Sequence, residues 1–459
     1  MSPLSGRRPG RDTVGSEAQE DLAEALAQAR AELGAVHAST SWRVTAPLRM
    51  LSGWLRRSAI PESVPSGSVS GPHSRWVPDP TTIAAGPRVP LEGPGRPMDP
   101  ASLELHWILP DAATASGGGH MTIFRHVRFL ERQGHRQTLW LRPPWFHDTP
   151  VEAMETIRTH YQALGDAVRV QFLPDDVREI SGDAVIATDF WTVYPVLAMN
   201  RFRERCYLVQ DYEADFHPRG AIYHLARNSY GFGLRTLCAG SWLFRRMTEE
   251  FGAWARQWDL AYDSSFYFRR GETDPARGIA VPDEPSIAFY HRPSTPRRAV
   301  ELGLTALRML HSRSVRFHVH FFGEPLASSP PYAHTDHGTL DASRLGDLYR
   351  ACDLGMVFSA TNYSLIPLEM MACGLPVLEL DSECTRAVFP PGALFLAKPD
   401  PEIIAEVLGE ALVSEERRRE VVRKAFAFTA DLDWERSSRA LEQAIREALQ
   451  EHASTRKSG

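Results

Sequence analysis

From Leu103 onward the chain alternates short apolar runs with stretches whose apolar positions recur every three to four residues. Residues 105–109, 184–188, 206–209, 286–290, 317–322 and 354–358 read as strands. Helical patterns occupy 121–133, ended by Gly134, and a region near 297–311. A shorter helix is predicted over 364–374; it carries Glu369 and stops at Gly374 and Pro376, where a further apolar run begins. The last helix spans 434–449, with Leu441, Ile445 and Leu449 on one face. Repeated strand–helix alternation predicts an α/β fold with parallel sheets covered by helices on both faces. A break containing Pro, Asp and Glu at 281–285 divides it into two Rossmann-like units.

The pattern ahead of Leu103 is different. Residues 1–16 are polar and rich in Arg, Gly and Ser, a composition that does not support a core. Over 17–36, Leu22, Leu26, Ala29 and Leu33 show heptad spacing for fewer than three heptads, which fits an amphipathic helix or a short coiled coil. In 39–57, Trp42 and Trp54 are interleaved with arginines, which suits peripheral contact with a membrane or docking on the protein's own surface. Density in Pro, Gly and Ser marks 61–100 as a linker. The expected organisation is a helical extension (1–60), the linker (61–100), a first Rossmann-like domain (101–282), a second (283–432) and a terminal helix with its tail (433–459).

Composition narrows the function classes. A chain of 459 residues exceeds one ordinary core. A net charge of −6 gives no argument for a nucleic-acid partner. Five cysteines, odd in number and without a CxxC pair, fit reduced thiols in the cytoplasm. The sequence has neither a charge-free apolar run of about 18 residues nor the apolar core of a signal peptide. The expected location is therefore cytoplasmic, on the inner face of the membrane if 39–57 engages it.

Candidate chemistry sits where strands end. The loop 110–120 carries Gly117, Gly118, Gly119 and His120; its glycines allow close backbone approach to a ligand, or simply a flexible connection. The loop 209–218 crowds Asp211, Glu213, Asp215 and His217 just past a strand, as a site or as a solvated acidic loop. At 290–298, Arg292, Arg297 and Arg298 stand before a helix, where positive side chains oppose the helix dipole unless an anion lies between them. Ser364 and Leu365 open the helix that carries Glu369. Its free N–H groups suit a phosphate, and a carboxylate one turn further in suits a ribose diol. Asp431 and Asp433 fit an Asp-x-Asp metal pattern, but their place before the last helix fits an N-cap better.

The stretch 363–377 resembles the donor-binding motif of retaining family 4 glycosyltransferases, which have the two-domain GT-B fold. Segments 292–298 and 364–374 look most like bacterial rhamnosyltransferases of surface-glycan assembly, and 39–49 resembles an element found ahead of many such enzymes. The resemblance implies that Arg292 and Arg297 grip the donor pyrophosphate, with Arg297 standing where the family has Lys. It also implies phosphate contact at the N–H groups of Ser364 and Leu365, and ribose contact at Glu369. The family's other glutamate falls at Thr361, so Thr361 or Asn362 is left as a neutral partner for the sugar. Asp211 stands where the family often has a His-Asp pair. The implied catalytic set is Asp211, Glu213, Arg292 and Arg297, with Gly117–His120 on the acceptor side. The implied donor is dTDP-β-L-rhamnose, with no other cofactor and no metal, and the acceptor is a glycan or lipid-linked glycan. In GT-B proteins the terminal helix returns to brace the first domain. Two alternatives remain: a non-catalytic nucleotide-sugar or glycan binder, for which Thr361 is the argument, and a GT-B sugar-nucleotide epimerase.

Overall fold

The computed structural model describes residues 90–111, 118–269 and 284–457. The expectations for 1–60, for 61–89 and for Gly117 lie outside the described residues.

Two parallel sheets organise the chain. The first contains β1 (Glu104–Pro110), β2 (Arg136–Arg142), β3 (Val168–Phe172), β4 (Gly182–Ala187), β5 (Phe202–Val209), β6 (Arg235–Ala239) and β7 (Ala255–Trp258), in the order β3-β2-β1-β4-β5-β6-β7. Its helices are α1 (Gly118–Arg132), α2 (Pro150–His160), α3 (Phe190–Ala198), α4 (Ala221–Ser229) and α5 (Ser241–Phe251). The second contains β8 (Ser286–His291), β9 (His318–Gly323), β10 (Ala333–Asp336), β11 (Leu354–Met356), β12 (Val377–Leu380) and β13 (Phe395–Ala397), in the order β10-β9-β8-β11-β12-β13. Its helices are α6 (Val300–Ser312), α7 (Ala342–Ala351), α8 (Leu365–Ala372), α9 (Glu383–Val388), α10 (Pro401–Val413) and α11 (Glu415–Thr429). The order reverses around β1 in one sheet and β8 in the other, and ligands of such sheets bind outside the carboxyl ends of the strands at that switch. Strands buried on both faces explain the runs: β4 is buried at every position and β5 at all but one.

The last helix, α12 (Trp434–Lys457), crosses back to the first sheet. Leu441, Ile445 and Leu449 are buried. Ser437 Oγ donates to Asp259 O (2.5 Å), Ser438 Oγ lies 2.8 Å from His126 Nδ1, and Arg256 Nε meets Glu447 Oε2 at 2.6 Å. Asp433 caps this helix, its Oδ1 accepting from the N–H groups of Glu435 (2.7 Å) and Arg436 (3.0 Å).

Three expectations change in detail. The segment 90–100, read as linker, is held on the first domain: the Glu92 N–H donates to Asn200 O (2.8 Å), and Leu91 and Met98 pack against the core. Arg96 pairs with Glu104 (2.6 Å) and the Asn200 amide donates to Glu92 Oε1 (2.7 Å), so polar contacts and two apolar side chains together anchor this Pro- and Gly-rich run. The helix expected near 297 starts at Val300, because Ala299 takes a left-handed φ of 45° and separates it from a 3₁₀ turn, Pro296–Arg298. Finally, β11 ends at Met356 rather than Phe358. All five cysteines are free, and four are buried. No helix among the described residues is long and apolar enough to cross a membrane.

Candidate functional site

The carboxyl ends of both sheets meet at one place. Gln210 and Asp211 follow β5, and the loop from Ser359 to Ser364 connects β11 to α8. The Asn362 N–H donates to Asp211 Oδ1 (2.9 Å) and the Thr361 hydroxyl to Asp211 Oδ2 (3.1 Å). The Asn362 amide reaches Gln210 O (2.9 Å) and Ala239 O (3.3 Å). Thus Thr361 and Asn362 are both engaged with the first domain. Tyr363 continues the contact. Its hydroxyl accepts from the Leu260 N–H (3.2 Å), and its ring covers Gly240, where a Cβ would sit 2.8 Å from Tyr363 Cε1. Gly240 also has a φ of +84°, so this approach requires glycine.

Arg297 faces the same carboxylate. Its Nε lies 3.5 Å from Asp211 Oδ2, and its guanidinium stacks on Phe216 at 4.1 Å. Burial lowers its pKa, opposed by the charge on Asp211. The backbone fixes it as well, since the Ala360 N–H donates to Arg297 O (2.9 Å). For Asp211, burial raises the pKa and outweighs Arg297 and the bond from Asn362. Arg292 stands apart: its Nη1 lies 3.3 Å from the Tyr290 hydroxyl and its Nε 3.8 Å from Glu324 Oε1. Both arginines keep planar donor forks that match phosphate oxygens.

Helix α8 opens beside them. Ser364 is its N-cap without making a side-chain cap bond, and its Oγ is buried without a partner. The first N–H groups of a helix have no intrahelical acceptor. Gly374, at φ 81°, ends the helix: its N–H bonds Met371 O (3.0 Å) and the Leu375 N–H bonds Met370 O (3.0 Å). Between these ends Glu369 borders a cavity of about 300 Å³ shared with Arg125, Asp263, Tyr267, Leu365 and Trp434. Its Oε2 is shut off from solvent and has no partner. Burial pushes its pKa up to about 7, against the pull of the Arg125 charge and the Tyr267 hydroxyl. Arg125 is itself paired with Asp263 (2.9 Å) and lies 5.2 Å over the Trp434 ring.

A consequence for stability follows from the raised pKa of Glu369. The folded chain keeps a proton that the unfolded chain has released. Stability is therefore lost as pH rises from the ordinary carboxylate range through the folded value, and the loss is complete above it. Glu369→Gln is expected to melt higher than the parent at about pH 8 and to converge with it towards about pH 4, while binding nucleotide more weakly. Melting curves at both pH values, with nucleotide titrations, check this.

The structure also brings Ser359 and Glu379, which the sequence pattern did not single out, next to Arg298. Arg298 Nη1 donates to Ser359 Oγ (2.7 Å), and Glu379 Oε1 accepts from the N–H groups of Ser359 (2.7 Å) and Leu380 (2.9 Å). Burial raises the Glu379 carboxyl to about 8. One carboxylate inside an otherwise apolar, fully buried strand was the available signal. Glu213, by contrast, is turned into the first domain. Its Oε2 accepts from the Phe190 N–H (2.7 Å) and its Oε1 from the Tyr207 hydroxyl (3.1 Å). It is 6% exposed, and burial raises its pKa well above the ordinary range. Of the acceptor-side residues, a Cβ at Gly119 would stand 3.7 Å from the Gln210 side chain and one at Gly118 would stand 4.0 Å from Leu365. His120 Nε2 lies 3.0 Å from Pro110 O, and burial lowers its pKa. Among the described residues, no three His, Cys, Asp or Glu side chains are grouped to hold a metal ion.

Two doubly wound domains facing a cleft, with a terminal helix crossing back to the first, define the GT-B fold, and solved structures agree. Sucrose-phosphate synthase from Thermosynechococcus elongatus matches with a TM-score of 0.59 at 13% identity, over 75% of this chain and 98% of that one. Anabaena HepE in complex with UDP-glucose matches at 0.55 and 14%, over 78% of this chain and 100% of that one. WaaG, a glycosyltransferase involved in lipopolysaccharide biosynthesis, matches at 0.54 and 13%, over 75% and 99%. At these identities the likeness establishes the fold. A family model described as the C-terminal domain of WsaF matches residues 285–409. The O-antigen biosynthesis protein RfbC of Myxococcus xanthus is 30% identical over 342 residues, 72% of this chain and 26% of that protein. The chain thus spans about a quarter of the length of this curated relative.

Proposed function

We propose that this protein is a retaining glycosyltransferase of surface-polysaccharide assembly that moves L-rhamnose from dTDP-β-L-rhamnose to a glycan acceptor. The observation that carries the reading is the cleft itself, where Arg297 and the opening of α8 on one domain face Asp211 on the other. The role named for RfbC and the UDP-glucose bound by HepE support a nucleotide-sugar donor and a glycan product.

In this reading the donor diphosphate lies between Arg292, Arg297 and the N–H groups at Ser364 and Leu365. The nucleoside enters the cavity beside Glu369, whose carboxyl group turns to accept from a ribose hydroxyl when the donor binds. The acceptor approaches from the first domain, past Gly118–His120. Its hydroxyl attacks the anomeric carbon on the face from which the diphosphate departs and passes its proton to the departing phosphate oxygen, so configuration is retained without an enzyme nucleophile. Positive charge on the arginines stabilises the diphosphate as it leaves, and Asp211 faces the developing oxocarbenium centre. The two guanidinium groups supply the charge that a divalent ion supplies elsewhere, so turnover proceeds in EDTA. Membrane contact through 39–57 brings the enzyme to a lipid-linked acceptor.

Isothermal titration with dTDP, UDP and GDP tests the donor. Binding of dTDP is expected to be tightest, and excess EDTA is expected to leave it unchanged. Tight binding of GDP with none of dTDP removes the rhamnosyl reading.

A further inference from the structure

Seven large hydrophobic side chains are exposed among the described residues, and Trp145, Phe146 and Val151 are three of them. All three lie on the connection from β2 into the start of α2. That connection leaves the carboxyl edge of the first sheet, the edge that also carries Asp211. From β5 to β2 is three strand steps, roughly 14 Å at the usual spacing.

The aromatic side chain at the centre of this patch is held in place. The Trp145 indole stacks on Phe172 (centroids 4.8 Å apart, planes at 22°), and its Nε1–H donates to Leu141 O (2.8 Å). It is still 45% exposed, so one ring face is packed and the opposite face is open. Beneath it Asp111, buried at 4% exposure, staples the loop. Its Oδ2 accepts from the N–H groups of Phe146 (2.6 Å) and His147 (3.1 Å), and its Oδ1 lies 2.8 Å from His147 Nδ1. The other His147 nitrogen, Nε2, lies 2.9 Å from Thr156 Oγ1. Asp111 thus fixes the backbone of the loop that displays Trp145 and Phe146. A ring fixed in advance gives contact area with little ordering cost on binding.

The surroundings favour one occupant. The carboxylates of Asp148 and Glu152, both exposed, flank the patch. They repel anionic lipid headgroups. A neutral pyranose ring has an apolar C–H face that lies flat on an indole and hydroxyl edges that donate to neighbouring carboxylates. We propose that the open face of Trp145 is a sugar-stacking subsite for the acceptor, engaging a ring two or three units away from the hydroxyl that reacts. The inference rests on the glycosyltransferase reading, and it makes that enzyme selective for an oligomeric acceptor.

The test uses the full chain and its Trp145→Ala, Trp145→Leu and Trp145→Tyr variants. The probes are delipidated surface polysaccharide from the source cells, dTDP, and vesicles of phosphatidylglycerol and phosphatidylcholine. Affinity for the polysaccharide is expected to fall at least about tenfold in Trp145→Ala and to return largely in Trp145→Tyr, with dTDP affinity and melting temperature unchanged. Trp145→Leu keeps apolar packing on Phe172 but has no ring face, and should lose the polysaccharide as the alanine variant does. If Trp145→Ala does not fold, the leucine and tyrosine variants decide. Equal polysaccharide binding in the parent and the leucine variant overturns the subsite, as does a parent that does not bind the polysaccharide. So does a loss confined to vesicles, which makes the patch a lipid contact. A parent that binds the polysaccharide through Trp145 but binds no nucleotide refutes the donor reading and leaves the subsite standing.

Discussion

Arg297→Ala is expected to lower turnover by about 100- to 1,000-fold, the range typical of a group that stabilises charge in a transition state. The guanidinium lies between the Asp211 carboxylate and the Phe216 ring, and the Ala360 N–H holds its backbone. It is thus oriented before the donor arrives, and little reorganisation is needed as the diphosphate leaves. Ground-state nucleotide binding should weaken less, because Arg292 and the opening of α8 remain. Arg297→Lys should recover part of the rate, since an ammonium keeps the charge and loses the planar fork. The alanine variant also takes from Asp211 the positive charge that opposes the rise of its pKa on burial, so the pH profile of the residual rate should move upward. Steady-state kinetics with calorimetry on the same samples measure each effect. A rate near that of the parent sinks the role.

Asp211→Asn should be nearly as damaging, and for two separable reasons. Asp211 accepts from Thr361, Asn362 and its neighbour Tyr212 (N–H to Oδ1, 2.8 Å) and faces Arg297, so it ties the two domains at the cleft. An amide offers one acceptor oxygen and turns donor hydrogens towards a hydroxyl and a guanidinium. Hydrogen bonds to a charged group are worth roughly 1.5–3 kcal/mol, so a clear fall in melting temperature should accompany a rate loss of about 100-fold or more. A carboxylate returned from the other wall separates the two. Thr361 Oγ1 is 3.1 Å from Asp211 Oδ2, so Thr361→Glu added to Asp211→Asn puts negative charge back in nearly the same place. The double variant should regain rate without regaining all of the stability. If it melts like the parent and stays inactive, the site needs the Asp211 position itself rather than a charge there.

The difference between what was legible and what was not follows the range of the interactions. Strands such as β4 and β5, buried on both faces, announce themselves as unbroken apolar runs, and a helix such as α12 shows its buried stripe at Leu441, Ile445 and Leu449. Shorter or mixed elements were harder. The edge strand β10 reads Ala-His-Thr-Asp with no apolar period, and only its pairing with β9 makes it a strand. The start of α6 was misplaced because a left-handed Ala299 has no sequence signature.

By itself the sequence determined the two βα units, the loops in which Arg292, Arg297 and Asp211 sit, the helix that carries Glu369, and its stops at Gly374 and Pro376. These depend on periodicity and on local backbone chemistry, which neighbouring residues set. Only the tertiary structure decided which side chains meet. Asp211 and Asn362 are 151 positions apart and bonded, whereas Glu213, two residues from Asp211, points into the core. A strand-end loop changes the direction of its side chains within one or two residues. Whether a carboxylate there faces the cleft or an N–H under the sheet depends on packing against distant segments. Arg125, Asp263 and Trp434, which share the cavity with Glu369, come from α1, from the segment after β7 and from the returning helix α12, and no local pattern links three such distant positions.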